Sequence, residues 1–188
     1  MRIISGSFKG KKILQPKDIK TRPLKDLAKE SIFNIIEHSK KFKIQLNGSY
    51  ILDLFSGVGS FGIECLSRDA KKVIFIENYS KVLPILKENL LNLNLDNNYE
   101  IIENDVFNHN ILSNLNYKFD IIFLDPPFRD KKMDLLLLNI INFKILSNNG
   151  IIILHRHKKD INIFPKSFKI IEEKKYGLSK IYFLINSN

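Results

Sequence analysis

The residues best suited to chemistry close an apolar run, Phe119-Asp120-Ile121-Ile122-Phe123-Leu124, in the turn Asp125-Pro126-Pro127-Phe128. Two adjacent prolines fix two φ angles and remove two backbone N–H donors. Two acceptors are left at the turn, the Asp125 carboxylate and the Pro126 carbonyl, and a flat ring follows. An aromatic amine is the group such a corner would hold. Its lone pair is delocalised into the ring, so it is a poor nucleophile. Acceptors gripping both of its hydrogens pull the nitrogen towards tetrahedral geometry and aim the lone pair. Phe128 would stack on the ring, worth about 1–3 kcal/mol by analogy with other base–aromatic contacts. Taken alone, the same four residues also fit a rigid turn with a buried Phe.

A second set lies upstream, in Asp53-Leu54-Phe55-Ser56-Gly57-Val58-Gly59-Ser60-Phe61-Gly62. Its glycines match G-x-G-x-x-G, a weak signal for a nicotinamide or flavin dinucleotide. Asp53 argues against that ligand, because a carboxylate at the strand end repels a pyrophosphate. It suits a ligand carrying an ammonium group and a sulfonium, and S-adenosylmethionine is such a ligand without a phosphate. The glycines then allow close backbone approach, with Phe55, Ser56, Gly57 and Gly59 as expected contacts. Glu77, at the end of the next apolar run and followed by Asn78, can accept hydrogen bonds from both ribose hydroxyls. That sugar is common to both ligand classes, so Glu77 does not choose between them. Asp105, beside Val106, could accept from an adenine amino group, or could cap a helix.

With a sulfonium donor already activated, positioning supplies most of the catalysis; Asp125 or water takes the proton released. A carboxylate only accepts hydrogen bonds. Guanine offers adjacent donors at N1 and N2, whereas adenine sets an acceptor beside its amine. Guanine N2 is therefore expected over adenine N6.

The elements that must position these groups follow from periodicity. Short apolar runs, Tyr50–Leu54, Lys72–Ile76, Glu100–Ile102, Asp120–Leu124 and Gly150–Leu154, alternate with helical stretches near 60–68, 79–93, 106–114 and 131–144. Runs apolar throughout predict strands covered on both faces, and the alternation predicts an α/β, doubly wound, mostly parallel sheet. Phe168–Lys174 and Lys180–Ile185 flank Tyr176-Gly177 as an antiparallel closing hairpin at one edge. Ahead of the first strand, Arg2 to Pro16 predicts an irregular hairpin. Pro23 suits the first turn of a helix, which continues through Leu24, Leu27, Ala28, Ile32, Phe33, Ile35 and Ile36 to about His38. Residues 1–48 are expected as a basic extension packed on the core, and 49–188 as the domain that carries the two motifs.

A chain of 188 residues with 44% hydrophobic content can bury a sizeable core. No apolar run approaches a membrane span, and the start lacks the long apolar stretch of a signal peptide. The single Cys65 is compatible with a reducing compartment, so a soluble cytoplasmic protein is expected. The net charge of +10 is unevenly spread. Residues 1–50 hold twelve Lys or Arg against four acidic residues, and residues 151–188 hold eight against three, while the middle is slightly acidic. Basic ends attract a polyanion. Arg2, Lys9, Lys11, Lys12, Lys20, Arg22 and Lys25 are the candidates for phosphate contact with such a polyanion, which the family resemblance given below implies to be RNA, against the plain alternative of a solvated Lys-rich face.

Other groups carry less. His155 and His157 lack a third ligand at metal-binding spacing, and no metal is expected. Cys65 falls on an apolar helix position and reads as core. Asn34 and Arg68 could be structural or functional.

The whole chain resembles the RsmD family of bacterial methyltransferases acting on guanine N2 in 16S ribosomal RNA. The resemblance runs through Met1-Arg2-Ile3-Ile4-Ser5-Gly6, Arg22-Pro23, Asp26, Glu30 and Ile32-Phe33-Asn34. It continues through Asp53-Leu54-Phe55-Ser56-Gly57, Cys65, Asp125-Pro126-Pro127-Phe128 and Tyr176-Gly177. It implies a class I, Rossmann-like methyltransferase fold, S-adenosylmethionine as donor, and the small ribosomal subunit or an assembly intermediate as substrate; a monomer is the default expectation for its oligomeric state. Departures are Phe128 where Tyr is usual, Leu24 for a common Thr, and His155-Arg156-His157 where acidic residues are frequent. The rivals are a DNA adenine-N6 methyltransferase, which usually carries an extra recognition domain, and a protein glutamine methyltransferase, which the basic ends disfavour. A catalytically silent RNA-binding factor would not need intact Asp53, Glu77 and Asp125.

Overall fold

A computed structural model describes residues 1–16, 26–95, 97–127, 132–160 and 164–187. The elements run α1 (Asp26–His38), β1 (Tyr50–Leu54), α2 (Ser60–Ser67), β2 (Lys72–Glu77), α3 (Leu83–Leu91), β3 (Tyr99–Glu103), α4 (His109–Ser113), β4 (Phe119–Leu124), α5 (Met133–Asn142), β5 (Leu146–His157), β6 (Phe168–Tyr176) and β7 (Ser179–Asn186). The strands form one sheet in the order β3-β2-β1-β4-β5-β7-β6. β1 to β5 are mutually parallel, and β7 runs antiparallel between β5 and β6. The order turns back at β1, between β2 and β4, which is where open α/β sheets leave a crevice beyond the carboxyl ends of their strands.

Alternation of side chains along each strand divides the core in two. Ile51, Val73, Phe75, Ile121, Phe123, Ile151 and Ile153 face one layer, with α1, α2 and α3 represented by Phe33, Phe61 and Leu86. Leu52, Leu54, Ile74, Ile76, Ile122, Leu124, Ile152 and Leu154 face the other, with Leu136, Leu137 and Ile140 of α5. Both faces are covered, which is why these strands read as continuous apolar runs. On the first face Phe33, Phe61 and Phe123 stack in series, with centroids 5.2 and 4.1 Å apart.

Burial within α1 differs from the periodic reading in two places. Leu27 is 67% exposed, while Lys29 is fully buried. Lys29 Nζ donates to the Arg2 carbonyl at 2.8 Å and lies 3.4 Å from the fully buried Glu64 carboxylate of α2. Glu64 also accepts the backbone N–H groups of Ile4 and Ser5 at 2.8 and 2.9 Å, and Arg68 Nε at 3.0 Å. Arg68, undecided from sequence, stands over the Phe33 ring and pairs with Glu37, so its contacts are structural. The leading segment folds back as an irregular hairpin, with one antiparallel bridge, Arg2 to Lys12, and backbone bonds from Ile3 N–H to the Lys11 carbonyl, Gly10 N–H to the Ile3 carbonyl and Ile13 N–H to the Met1 carbonyl. Its tip is tied to α2, with Ser7 and Phe8 N–H donating to Ser67.

Other boundaries move modestly. β5 extends from Leu146 to His157, so His155 lies inside the strand and not after it. α4 starts later than the periodicity suggests, because Asn108 caps it by accepting the Asn110 N–H. No helix among the described residues is long and apolar enough to cross a membrane.

Candidate active site

The loop after β1 is built by positive backbone angles. Phe55 has φ 59°, a left-handed conformation that costs a side chain of this size on the order of 1–3 kcal/mol and gathers at functional sites. Gly57 follows at φ 55° with open space where a Cβ would stand. The other two glycines serve packing. A Cβ on Gly59 would come within 2.5 Å of Leu86, and one on Gly62 within 2.3 Å of Phe75. The G-x-G-x-x-G spacing here thus reflects two glycines at left-handed angles, Gly57 and Gly59 (φ 81°), and two, Gly59 and Gly62, that seat α2 against α3 and β2.

Three carboxylates converge at this edge. Asp53 is 1% exposed and its Oδ2 accepts the Gly62 N–H at 2.9 Å. Burial pushes its carboxyl well above the usual range; the Gly62 N–H opposes this, and the charges of Asp125 and Glu77 add to it. Glu77 accepts three backbone N–H groups, Gly57 at 2.7 Å, Asn78 at 2.9 Å and Tyr79 at 2.8 Å. Those bonds fix the glycine loop onto β2 and occupy three of the about four acceptor sites of a carboxylate. Asp125 follows β4, and its Oδ1 lies 2.8 Å from His155 Nδ1. Parity explains the convergence: residues 53, 77, 125 and 155 continue the odd-numbered face of their strands.

Beside them opens a cavity of about 450 Å3 lined by Phe55, Ile76, Glu77, Asn78, Asp105, Val106, Phe107, Pro127 and Lys132. Its walls are aromatic and aliphatic and its polar groups are mostly acceptors, a chemistry that suits a nucleoside. Five of the expected ligand contacts, Phe55, Glu77, Asn78, Asp105 and Val106, line it. Asp53 stands near the end of β1, and Ser56, Gly57 and Gly59 belong to the adjoining loop. Ser56 Oγ donates to the Ile76 carbonyl at 3.2 Å. Asp105 does not cap α4; its Oδ1 accepts the Phe107 N–H at 3.0 Å in a local turn.

Sequence reading passed over Ile76, Phe107 and Lys132. Phe107 packs against Phe55 at 5.7 Å, and Lys132 Nζ lies 5.4 Å from the Phe107 centroid. An aromatic two residues beyond Asp105 was the available signal. From sequence, His155 reads as half of a weak metal pair with His157 and as a departure from the acidic residues frequent at that place. The two are separately engaged, His155 with Asp125 and His157 Nδ1 with the Lys159 N–H at 3.2 Å. Arg2, Lys9, Lys11 and Lys12 are all exposed on the leading loop. Lys20, Arg22, Lys25 and Phe128 lie outside the described residues.

The strand order, the antiparallel β7 and the acidic ends of β1, β2 and β4 define a Rossmann-like class I methyltransferase fold. A family model described as conserved hypothetical protein 95 matches residues 1–185, and the chain belongs to this family, the RsmD family. It is 32% identical over 183 residues to ribosomal RNA small subunit methyltransferase D of Haemophilus influenzae, covering 95% of this chain and 90% of that one. It is 33% identical over 184 residues to YlbH of Bacillus subtilis, covering 96% of both. The solved structure of HI0767 from Haemophilus influenzae superposes with a TM-score of 0.76 at 30% identity, covering 98% of this chain and 97% of that one.

Proposed function

We propose that this chain transfers a methyl group from S-adenosylmethionine to the exocyclic N2 amine of a guanine in 16S ribosomal RNA of the small ribosomal subunit, as a monomer in the cytoplasm. The observation that carries this reading is the convergence of Asp53, Glu77 and Asp125 at the carboxyl edge, beside a cavity of nucleoside character. Membership of a family with rRNA methyltransferases among the relatives supports the substrate class.

The residues divide the work by chemistry. Phe55, Ile76, Val106 and Phe107 wrap the adenine, and Asp105 and Asn78 meet its polar edge. Glu77 holds the ribose with its remaining acceptor capacity while bracing the Gly57 loop. Asp53 supplies negative charge to a cationic ligand in a buried place where water screens little. When bound, S-adenosylmethionine supplies a methyl group on a positive sulfur. The Asp125 carboxylate and the Pro126 carbonyl accept the two hydrogens of the target amine, and Pro127 stiffens the corner. Held in this way, the amine lone pair would be aimed at the methyl group that the donor supplies, the new N–C bond replacing the S–C bond, whose electron pair would stay on sulfur. The surplus proton leaves nitrogen for Asp125 or water. Phe128 is assigned the stacking partner of the base.

Asp53 gives the binding step a pH dependence whose sign is fixed. Its folded-state carboxyl is raised by burial, and a cationic ligand favours the ionised form. Affinity for S-adenosylmethionine should therefore fall as pH drops through the raised value, with proton release on binding. Calorimetry in buffers of different ionisation enthalpy measures that release. Binding that is flat from neutral to acid pH, with no proton released, would contradict this role for Asp53.

The exposed Lys9, Lys11 and Lys12, with Arg2, form the described part of the RNA-contact surface. Each phosphate contact contributes about 0.7 to 0.9 to the slope of log affinity against log salt. Changing all three lysines to glutamate should weaken RNA binding and flatten that slope; an unchanged slope would remove them from the interface. The reaction itself is tested by labelled methyl transfer to small subunits from cells lacking the gene, with duplex DNA and bulk protein as competing acceptors. N2-methylguanosine in 16S rRNA is the expected product. N6-methyladenine in DNA or methylglutamine in protein would replace the proposal with one of its rivals.

A further inference from the structure

β4 and β5 are parallel, with Leu124 paired to Leu154. The next residue of each, Asp125 and His155, falls one rung further along and on the face that also carries Asp53. There the imidazole Nδ1 meets Asp125 Oδ1 at 2.8 Å. His155 is 6% exposed, while the Asp125 side chain keeps 21% of its surface. One carboxylate oxygen is thus tied to a buried ring, and the carboxylate still opens to the crevice.

We propose that His155 is a positioning residue for methyl transfer: its Nδ1–H holds Asp125 Oδ1 and so presents Oδ2 to the target amine. This rests on the assignment of Asp125 as the acceptor that grips that amine. The need is physical. The terminal torsion of an aspartate has broad, shallow wells. Asp125 stands where β4 has ended, its own N–H reaching the Leu54 carbonyl only at 3.4 Å. A bond from a side chain anchored inside β5 removes that freedom. No bond to His155 forms or breaks in the reaction; the ring keeps its Nδ1–H while the amine proton passes to Oδ2 or water.

The pair also responds to pH. Burial works against charging the His155 ring, while the hydrogen bond and charge of Asp125 favour it and win, so its pKa is raised. Arg156 on the same strand opposes the charge. His157 follows on β5. β7 contributes Lys180 and Tyr182 on either side of Ile181, the residue paired with His155. Asp53 and Glu77 lie on the Asp125 side, and Glu64 of α2 is committed to Lys29 and Arg68. Both ring states can donate to Oδ1, but the charged ring draws negative charge from Asp125 and weakens its hold on the amine. The neutral ring is the better partner, and kcat rises with pH through a limb set above the ordinary histidine range.

The test compares His155→Ala and His155→Asn in the full chain, reading kcat, KM for each substrate and the pH profile. Misplacing a reacting group by about 1 Å can cost about 10²-fold. His155→Ala should therefore lower kcat by about ten- to a hundredfold with KM for S-adenosylmethionine unchanged. His155→Asn, whose amide N–H can replace Nδ1–H, should recover most of that rate and lose the acid limb. Wild-type kcat in the alanine variant, or an acid limb that persists in the asparagine variant, overturns the proposal. If alanine prevents folding, the asparagine profile alone decides it. Asp125→Ala is run in parallel: transfer that survives there sinks the assignment of Asp125 itself, whatever His155 does.

Discussion

Replacing Asp125 with alanine is expected to lower kcat for RNA methylation by about 10²–10⁴-fold, the range for loss of a group that binds and takes the reacting proton. Affinity for S-adenosylmethionine should change little, because the proposed hold on its adenosine part comes from the cavity lining, to which Asp125 does not contribute. The reason is the sharing of tasks at the carboxyl edge. On the proposed reading, Asp53 and the cavity answer to the donor, and Asp125 with the Pro126 carbonyl answers to the acceptor. An amine with only one of its hydrogens held stays conjugated with its ring, and its lone pair is not aimed. Equilibrium binding of S-adenosylhomocysteine beside single-turnover transfer separates the two effects. Equal loss of binding and of transfer would mean that Asp125 belongs to the donor site.

Glu64→Ala is expected to be the most damaging single change to stability away from the site, at about 3–5 kcal/mol, the usual effect of breaking one side of a buried ion pair. Glu64 and Lys29 are both fully buried, and Arg68, Ile4 and Ser5 converge on the same carboxylate. Removing it leaves the Lys29 ammonium without its anion and two backbone donors without their acceptor. Burial already lowers the Lys29 pKa against the pull of Glu64, so losing Glu64 should lower it further. For a chain of this size each kcal/mol moves Tm by about 2–4 °C, which gives a fall of about 10 °C. The companion Lys29→Met/Glu64→Leu removes both charges and should recover part of that loss, since apolar replacement of a buried pair is often close to neutral. A single variant that melts within a degree or two of the parent would contradict the network. Lys9, Lys11 and Lys12 share the loop that this carboxylate anchors, so weakened RNA binding should accompany the melt.

How much was legible follows from what each element answers to. The parallel strands were readable because burial on both faces makes them apolar throughout, and β1 matched residue for residue. Helix ends were less so: α4 begins at an Asn108 cap, and Asp105, the alternative cap, spends its carboxylate on Phe107. Composition misleads at Leu27 and Lys29, because Lys29 is drawn inward by an acid one element away that periodicity within α1 does not register. The candidate site residues stand out in the sequence because Asp53 interrupts one apolar run near its end, Glu77 ends the next and Asp125 follows a third. The partner of Asp125 does not, since it depends on the register of β4 against β5. Once Leu124 is set beside Leu154, Asp125 and His155 fall next to each other on the same face. The glycines illustrate the converse, a motif correctly spaced for a ligand in which Gly59 and Gly62 answer to Leu86 and Phe75.

The most direct test is a structure of the chain with S-adenosylhomocysteine and a guanosine-bearing fragment of its RNA. The thioether sulfur should lie in the crevice between Asp53 and the Asp125 corner, with adenine among Phe55, Val106 and Phe107. The guanine N2 amine should point at that sulfur while its hydrogens reach Asp125 Oδ2 and the Pro126 carbonyl. A guanine held elsewhere, or a sulfur remote from Asp125, would contradict the assignment.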